Sequence, residues 1–267
     1  MFWNRVIASL LSIALFSATA AAQTGQKPPY EPQVGQAGKD VVWVPTPQVL
    51  VDKMLDLAKV TPQDLVIDLG SGDGRTVISA AKRGATAIGV EYNPDMVALS
   101  QFNATQAGVA DKATIVRGDI FEYDFSKANV LTMFLLPSIN MKLRPKILDM
   151  KPGTRIVTNS FTMEDWEADQ TETVTDDCTS WCTAHLWIVP AKVDGDWQLP
   201  SGTLTIKQQF QNFSGMMGTT PTTGGKLRGA DIEFTLNGTK YTGTVNGNSM
   251  KGTTSSGQSW TATRNAR

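Results

Sequence analysis

The stretch Leu65-Val-Ile-Asp-Leu-Gly-Ser-Gly-Asp-Gly-Arg75 constrains this chain more than any other. Leu65 to Ile67 is a short apolar run of the kind buried in a parallel strand. Asp68 ends it, and Gly70, Gly72 and Gly74 then turn the chain into a helical pattern beginning near Thr76. Glycines at alternate positions admit positive φ and let the backbone approach a ligand closely. The helix that follows aims free N–H groups and its positive dipole end back at the loop, a setting for an anionic group.

Several ligands fit that outline, and the flanking residues discriminate among them. A phosphate-binding P-loop needs Gly-Lys-Ser/Thr after the last glycine, whereas Arg75-Thr76-Val77 stands here. The dinucleotide fingerprint is Gly-x-Gly-x-x-Gly, and these glycines read Gly-x-Gly-x-Gly. The acid two positions before the first glycine would repel a pyrophosphate and attract an ammonium or sulfonium. S-adenosylmethionine carries both cations and a carboxylate for the helix end. The residues favour it over a nucleotide and over a merely structural glycine turn.

At this point the chain resembles the seven-strand S-adenosylmethionine-dependent methyltransferases. Ala87-Ile-Gly-Val-Glu91 reads as a second strand ending in an acid. Gly118-Asp119-Ile120 follows a third strand at Thr114 to Arg117, and Asn129 to Leu136 reads as a fourth. Trp43-Val-Pro-Thr-Pro47, Asp68 to Arg75, Met133-Phe-Leu-Leu136 and Lys151-Pro-Gly-Thr-Arg155 are similar to one subgroup. It holds archaeal protein-lysine methyltransferases and a mitochondrial lysine methyltransferase family, and the resemblance spans about residues 41 to 190.

The resemblance implies roles. Asp68 would meet the cofactor's amino group, Glu91 the ribose hydroxyls and Asp119 the adenine amino group. The implied cofactor set is Thr46, Asp68, Gly70, Ser71, Gly72, Glu91, Asn93, Asp119 and Ile120. The fourth strand's end would face the methyl group, and the segment around Trp43 would cover the methionine end. No catalytic base is identified; Asp124 and His185 are candidates only, while Asp73 and Arg75 serve the loop or the substrate.

Residues 1 to 22 read as a signal peptide: Arg5, an apolar Val6 to Phe16, and Ala20-Ala21-Ala22 before Gln23. The apolar run is short for a membrane span of about 20 residues. The expectation is an exported protein, periplasmic or extracellular, with no stable span after cleavage. Residues 23 to 40, rich in Gln, Pro and Gly, read as a mobile linker. Thr46 is a suitable N-cap and Pro47 a suitable first helical residue for the next helix. Asn93-Pro94 repeats that signal, and its helix stops at Gly108. Ser138 to Met150 reads as a helix with a break near Arg144, before Pro145.

Arg155 to Phe161, Thr171 to Thr175 and Thr183 to Val189 complete seven strands. The expected fold is α/β: a Rossmann-like sheet over residues 41 to 192, binding its ligand beyond the strands' carboxyl ends. From about Val193 helical periodicity vanishes, and short Thr- and aromatic-rich strands alternate with Gly and Asn turns. Thr203 to Gln211, Asp231 to Leu236, Lys240 to Val245, Ser249 to Thr254 and Ser259 to Thr263 are the clearest. Asn237-Gly238 and Asn246-Gly247 signal hairpins. Residues 193 to 267 therefore read as a small antiparallel meander or barrel.

Cys178 and Cys182 flank a hairpin tip where a disulfide is geometrically allowed. One histidine and two cysteines argue against a His/Cys metal cluster, and a net charge of −1 provides no basic field for nucleic acid. The functional expectation is methyl transfer to a protein lysine, or else to a small molecule or envelope component. The alternative from another class is a non-catalytic sensor that keeps the cofactor fold to bind an envelope partner.

Overall fold

The computed structural model describes residues 27–264. The expected signal peptide and the first residues of the expected linker lie outside them.

Seven strands form one sheet: β1 Leu65–Leu69, β2 Thr86–Glu91, β3 Ala113–Arg117, β4 Val130–Met133, β5 Arg155–Asn159, β6 Gln170–Thr173 and β7 Thr183–Ile188. Their order is β3-β2-β1-β4-β5-β7-β6. The first five pair in parallel, and β7 runs antiparallel to β5 and β6. The chain leaves β1 in one direction toward β3 and returns on its other side through β4. That reversal opens a crevice at the carboxyl ends of β1 and β4.

Helices cover both faces, which is why β1, β4 and β5 are buried almost throughout. Helices α1 Gln48–Leu57, α2 Arg75–Lys82 and α3 Pro94–Gln106 pack on one face with Val66, Ala87, Val130 and Val157. Helix α4 Pro137–Leu148 packs on the other with Ile67, Leu69, Leu131 and Met133.

Three local expectations need correction. Pro47, not Thr46, is the N-cap of α1, and it makes no side-chain capping bond. The Thr46 hydroxyl is buried and instead accepts from Asn159 Nδ2 at 3.2 Å. Helix α4 also runs unbroken through Pro145. Pro145 is exposed, so the carbonyl that loses its N–H partner can be taken by water. Finally, residues 33–43 do not leave the body as a linker. Gly35 N–H donates to Trp43 O (2.8 Å) and Trp43 N–H to Gln36 O (2.9 Å), closing a strap that is tied to the body where Val41 packs on the core around Leu131 and Met133 and Lys39 pairs with Asp119.

The remaining strands are β8 Gly195–Leu199, β9 Gly202–Gln209, β10 Asn212–Met217, β11 Thr220–Arg228, β12 Asp231–Leu236, β13 Thr239–Asn246, β14 Ser249–Thr254 and β15 Ser259–Thr263. They form a closed antiparallel barrel, sealed where β15 meets β8. Closure leaves no free edge, and the interior is filled by Trp197, Ile206, Phe213, Phe234 and Trp260. Asn237-Gly238 is a two-residue turn with both φ values positive. In the second hairpin Asn246 pairs with Ser249, so the turn is Gly247-Asn248, one residue later than the dipeptide suggested.

Barrel and sheet are packed together. Trp166, fully buried, stacks on Phe210 at 5.8 Å and 15°. Gln211 Nε2 donates to Glu167 O at 2.9 Å, and Ala191 N–H to Gly229 O at 2.8 Å.

Candidate active site

The glycine loop is locked to its neighbours before any ligand is considered. Gly70, Gly72 and Gly74 have φ of 77°, 55° and 82°. The N–H groups of Gly70 and Ser71 both donate to Val90 O, at 2.9 and 3.1 Å. A Cβ on Gly72 would lie 2.7 Å from the indole nitrogen of Trp43, and one on Gly74 would overlap Ser100 Oγ. Arg75 holds the loop from outside: Nε and Nη2 grip Asp73 (3.0 and 2.6 Å), and Nη1 donates to Thr46 O at 2.7 Å. Asp73 and Arg75 thus act on each other and on the loop.

Three carboxylates follow the ends of adjacent strands. Asp68, in β1, is buried and accepts from the Thr132 hydroxyl at 2.6 Å. Burial pushes its carboxyl up to about 7, and the charges of Glu91 and Asp73 push the same way against the Thr132 hydrogen bond. Glu91, ending β2, accepts from Gly72 N–H and Asn93 N–H, both at 2.9 Å. Each oxygen keeps a lone pair for a further donor. Asp119, just beyond β3, accepts from Phe121 N–H at 2.9 Å. Its other oxygen takes Lys39 of the strap, whose hydrogen bond holds the Asp119 carboxyl below its usual range.

All nine residues of the expected cofactor set line one cavity: Thr46, Asp68, Gly70, Ser71, Gly72, Glu91, Asn93, Asp119 and Ile120. Their local duties differ. The Asn93 side chain is already spent capping α3, accepting from Asp95 N–H at 2.9 Å. The Ser71 hydroxyl is buried with no hydrogen-bond partner. A buried orphan donor beside a glycine cradle, with carboxylates at three successive strand ends, suits a ligand bearing a cation, ribose hydroxyls and an exocyclic amine. S-adenosylmethionine has that set. Among the described residues no group of three or more His, Cys, Asp or Glu could hold a metal ion.

The two candidate bases do not reach the cavity. Asp124 is exposed and turns back to Ser126 N–H at 2.9 Å. His185 contacts Thr171 Oγ1 at 2.9 Å on the neighbouring strand, and burial lowers its basicity. Neither was placed by anything stronger than residue type. Phe134 lines the cavity from the end of the fourth strand, where the resemblance placed the methyl group, while sequence reasoning missed Lys39, Phe161 and Trp181, which line it too.

The strap covers the Asp119 end. Besides its ion pair, Lys39 lies 4.8 Å from the centre of the Tyr92 ring. An amine donor reaching Asp119 must share or displace this exposed contact, which is of the weak, salt-screened kind. Lys39→Ala should raise cofactor affinity at low salt roughly two- to fivefold and flatten its salt dependence. Calorimetric titrations at low and high salt check this; unchanged affinity and salt slope would show that the ion pair does not compete.

The chain matches the ANTKMT methyltransferase domain family over residues 68–170. It is 44% identical over 139 residues to a protein-lysine N-methyltransferase of Saccharolobus islandicus, covering 51% of this chain and 86% of that protein. It is 33% identical over 119 residues to the adenine nucleotide translocase lysine N-methyltransferase of Mus musculus, covering 44% of this chain and 52% of that one. The chain therefore spans about half the length of the mouse relative. Among solved structures, an RNA methyltransferase from Salinibacter ruber in complex with S-adenosyl-L-homocysteine is similar at 44% identity and a TM-score of 0.53. That likeness covers 56% of this chain and 96% of that one. The family match ends at residue 170, before the barrel begins at Gly195.

Proposed function

Because the chain belongs to the class I S-adenosylmethionine-dependent methyltransferases, we propose that it methylates the side-chain amine of protein lysines. The observation that carries the cofactor half is the convergence of Asp68, Glu91 and Asp119 on one glycine-lined cavity that also contains the unpartnered Ser71 hydroxyl. Asp68 would receive the cofactor's ammonium, Glu91 its ribose hydroxyls and Asp119 its adenine amine. Gly70 and Gly72 would leave room for the backbone to approach. Bound there, S-adenosylmethionine supplies a methyl group already activated by its sulfonium, so transfer to an amine is an in-line displacement.

The chain's own task is then positioning and desolvation. No histidine lines the cavity, and its carboxylates are grouped around the cofactor set. Proton loss from the lysine to solvent would be helped by the aliphatic lining at Met133, Leu135 and Ile139, since desolvation disfavours an ammonium. The lysine reading is supported by the archaeal relative, of which the chain covers 86%. Cavity charge favours it over RNA: leaving out Asp68, whose carboxyl burial pushes up to about 7, the acids Asp40, Asp73, Glu91 and Asp119 outnumber the cations Lys39 and Arg75, which pair with Asp119 and Asp73. Such a lining repels phosphates.

We extend the proposal to an exported protein, supported by the Arg5, Val6 to Phe16 and Ala20–Ala22 pattern and by the bonded Cys178–Cys182 pair. Among the described residues no helix is long and apolar enough to cross a membrane.

The test is transfer of a labelled methyl group by the full chain to a mixture of cell-envelope proteins and RNA, followed by mass-spectrometric location of the label. Methylated lysines are expected. Label confined to RNA, or no label on any acceptor from protein that binds the cofactor, overturns the lysine reading. Sequencing the amino terminus of the exported protein tests localisation: a start at Gln23 is expected, and cytoplasmic retention with Met1 intact contradicts it.

A further inference from the structure

Phe134 follows β4, Phe161 follows β5, and Trp181 sits at the tip joining β6 to β7. Strand order brings these three segments together at one end of the cavity, which all three rings line. Their centroids lie 6.0 Å apart for Phe134 and Phe161, 5.8 Å for Phe134 and Trp181, and 5.2 Å for Phe161 and Trp181. Asp119 and its strap lie beyond β3 on the far side of β1 and β2, so the rings border the side left for an acceptor.

The placement of each ring is held by the backbone. Phe161 is fixed from both sides: its N–H donates to Asn159 O at 2.6 Å, and its carbonyl accepts from the Thr158 hydroxyl. Trp181 is 42% exposed, a large aromatic left partly in water, and has a left-handed backbone with φ of 58°. A bulky residue keeps that conformation only where the surroundings impose it. Here it lies inside the five-residue loop closed by the Cys178–Cys182 disulfide, with Val174 N–H donating to Cys182 O at 2.9 Å below it.

We propose that Phe134, Phe161 and Trp181 form the acceptor channel, an aromatic wall that receives an alkylammonium and holds its methylated forms, and that the Cys178–Cys182 disulfide keeps Trp181 in place. The inference rests on the methyltransferase reading above and adds the recognition element. Ring faces attract cations, most strongly when the cation is weakly hydrated. Each added methyl group lowers the hydration of a lysine ammonium, so the wall favours retention of mono- and dimethyl-lysine for a further round. The hairpin also carries Asp176 and Asp177, both exposed, which add attraction for a cation approaching the mouth. A flat nucleobase could stack on the same rings, but its phosphates would meet Asp176 and Asp177 at the mouth.

The experiment titrates Nα-acetyl-trimethyllysine amide and its neutral carbon isostere into the full chain, with and without saturating S-adenosylhomocysteine, and reads binding by calorimetry and tryptophan fluorescence. The ammonium is expected to bind about tenfold tighter than the isostere. Trp181→Ala should abolish that preference, Trp181→Phe should retain most of it, and Cys178→Ser/Cys182→Ser should weaken ammonium binding roughly fivefold while S-adenosylhomocysteine affinity stays unchanged. Equal binding of ammonium and isostere, an unaltered preference in Trp181→Ala, or tighter binding of uridine monophosphate than of the ammonium overturns the proposal. Failure of S-adenosylhomocysteine itself to bind would fall on the cofactor assignment, because the ammonium series is read in its absence as well.

Discussion

Asp68→Asn is expected to stabilise the cofactor-free protein above neutral pH and, at the same time, to cost about 100-fold in S-adenosylmethionine affinity. The two effects have one origin. Asp68 is buried, and its carboxyl is raised to about 7 in the folded chain, whereas in the unfolded chain it has the ordinary value of 3.8. Between those values the folded state holds a proton that the unfolded state has released. Stability therefore falls as pH rises from about 4 to about 7, and above that the penalty is fully present, at about 4 kcal/mol. Asparagine has the same shape and no proton to lose. Its advantage over the wild type should be negligible near pH 4 and reach about 2–4 kcal/mol by pH 8.

The cofactor's ammonium would make the charged form of Asp68 favourable, so wild-type affinity should climb with pH up to about 7 while the variant's stays flat. Denaturant melts across pH, with cofactor titrations at the same points, check both halves. A stability gap that does not widen with pH, or cofactor binding untouched by the substitution, would remove Asp68 from this role.

Trp166→Ala should cost about 3–5 kcal/mol. Trp166 is fully buried against Trp187 and Phe210, with ring centroids at 6.3 and 5.8 Å. It joins the sheet's second core to the turn between β9 and β10 of the barrel, so its loss opens a cavity where neither body can collapse freely. For a chain of this size that corresponds to a fall in melting temperature of roughly 8–15 °C. Trp166→Phe should cost much less, since the Trp166 Nε1 that it removes is buried without a partner. Calorimetric melts of both variants decide the matter: a drop under about 1 kcal/mol for alanine would mean that this joint does not hold sheet and barrel together.

Much of the fold was legible because its signals are local. β1, the glycine loop and α2 succeed one another within eighteen residues, each marked by burial, turn chemistry or helix start. Asp68 could be read from its place before the glycine loop, whereas Glu91 and Asp119 were named through the resemblance to the methyltransferases. The Asn93 cap and the Asn237-Gly238 turn were equally readable, for they depend on bonds and φ values within four residues. The barrel was legible as antiparallel strands, but β8, β10 and β11 were not. Gly215 interrupts the pattern of β10 and Pro221, Gly224 and Gly225 that of β11, which shifts register between Thr223 and Lys226. Those interruptions are the bulges that let a strand bend around a closed barrel.

The sequence by itself therefore determined the succession of strands and helices through β7 and the glycine loop with Asp68, and through the family resemblance it pointed to the crevice and to Glu91 and Asp119. Tertiary structure decided the long-range contacts that close that crevice beyond the expected Trp43 segment. Lys39 reaches Asp119 across eighty residues of chain, Asn159 claims the Thr46 hydroxyl across 113, and Trp181 arrives beside Phe134 only because β7 inserts between β5 and β6. Periodicity and turn chemistry are written in the neighbouring few residues, whereas a strap or a wall depends on which distant segments come to share one surface, and no local pattern encodes that.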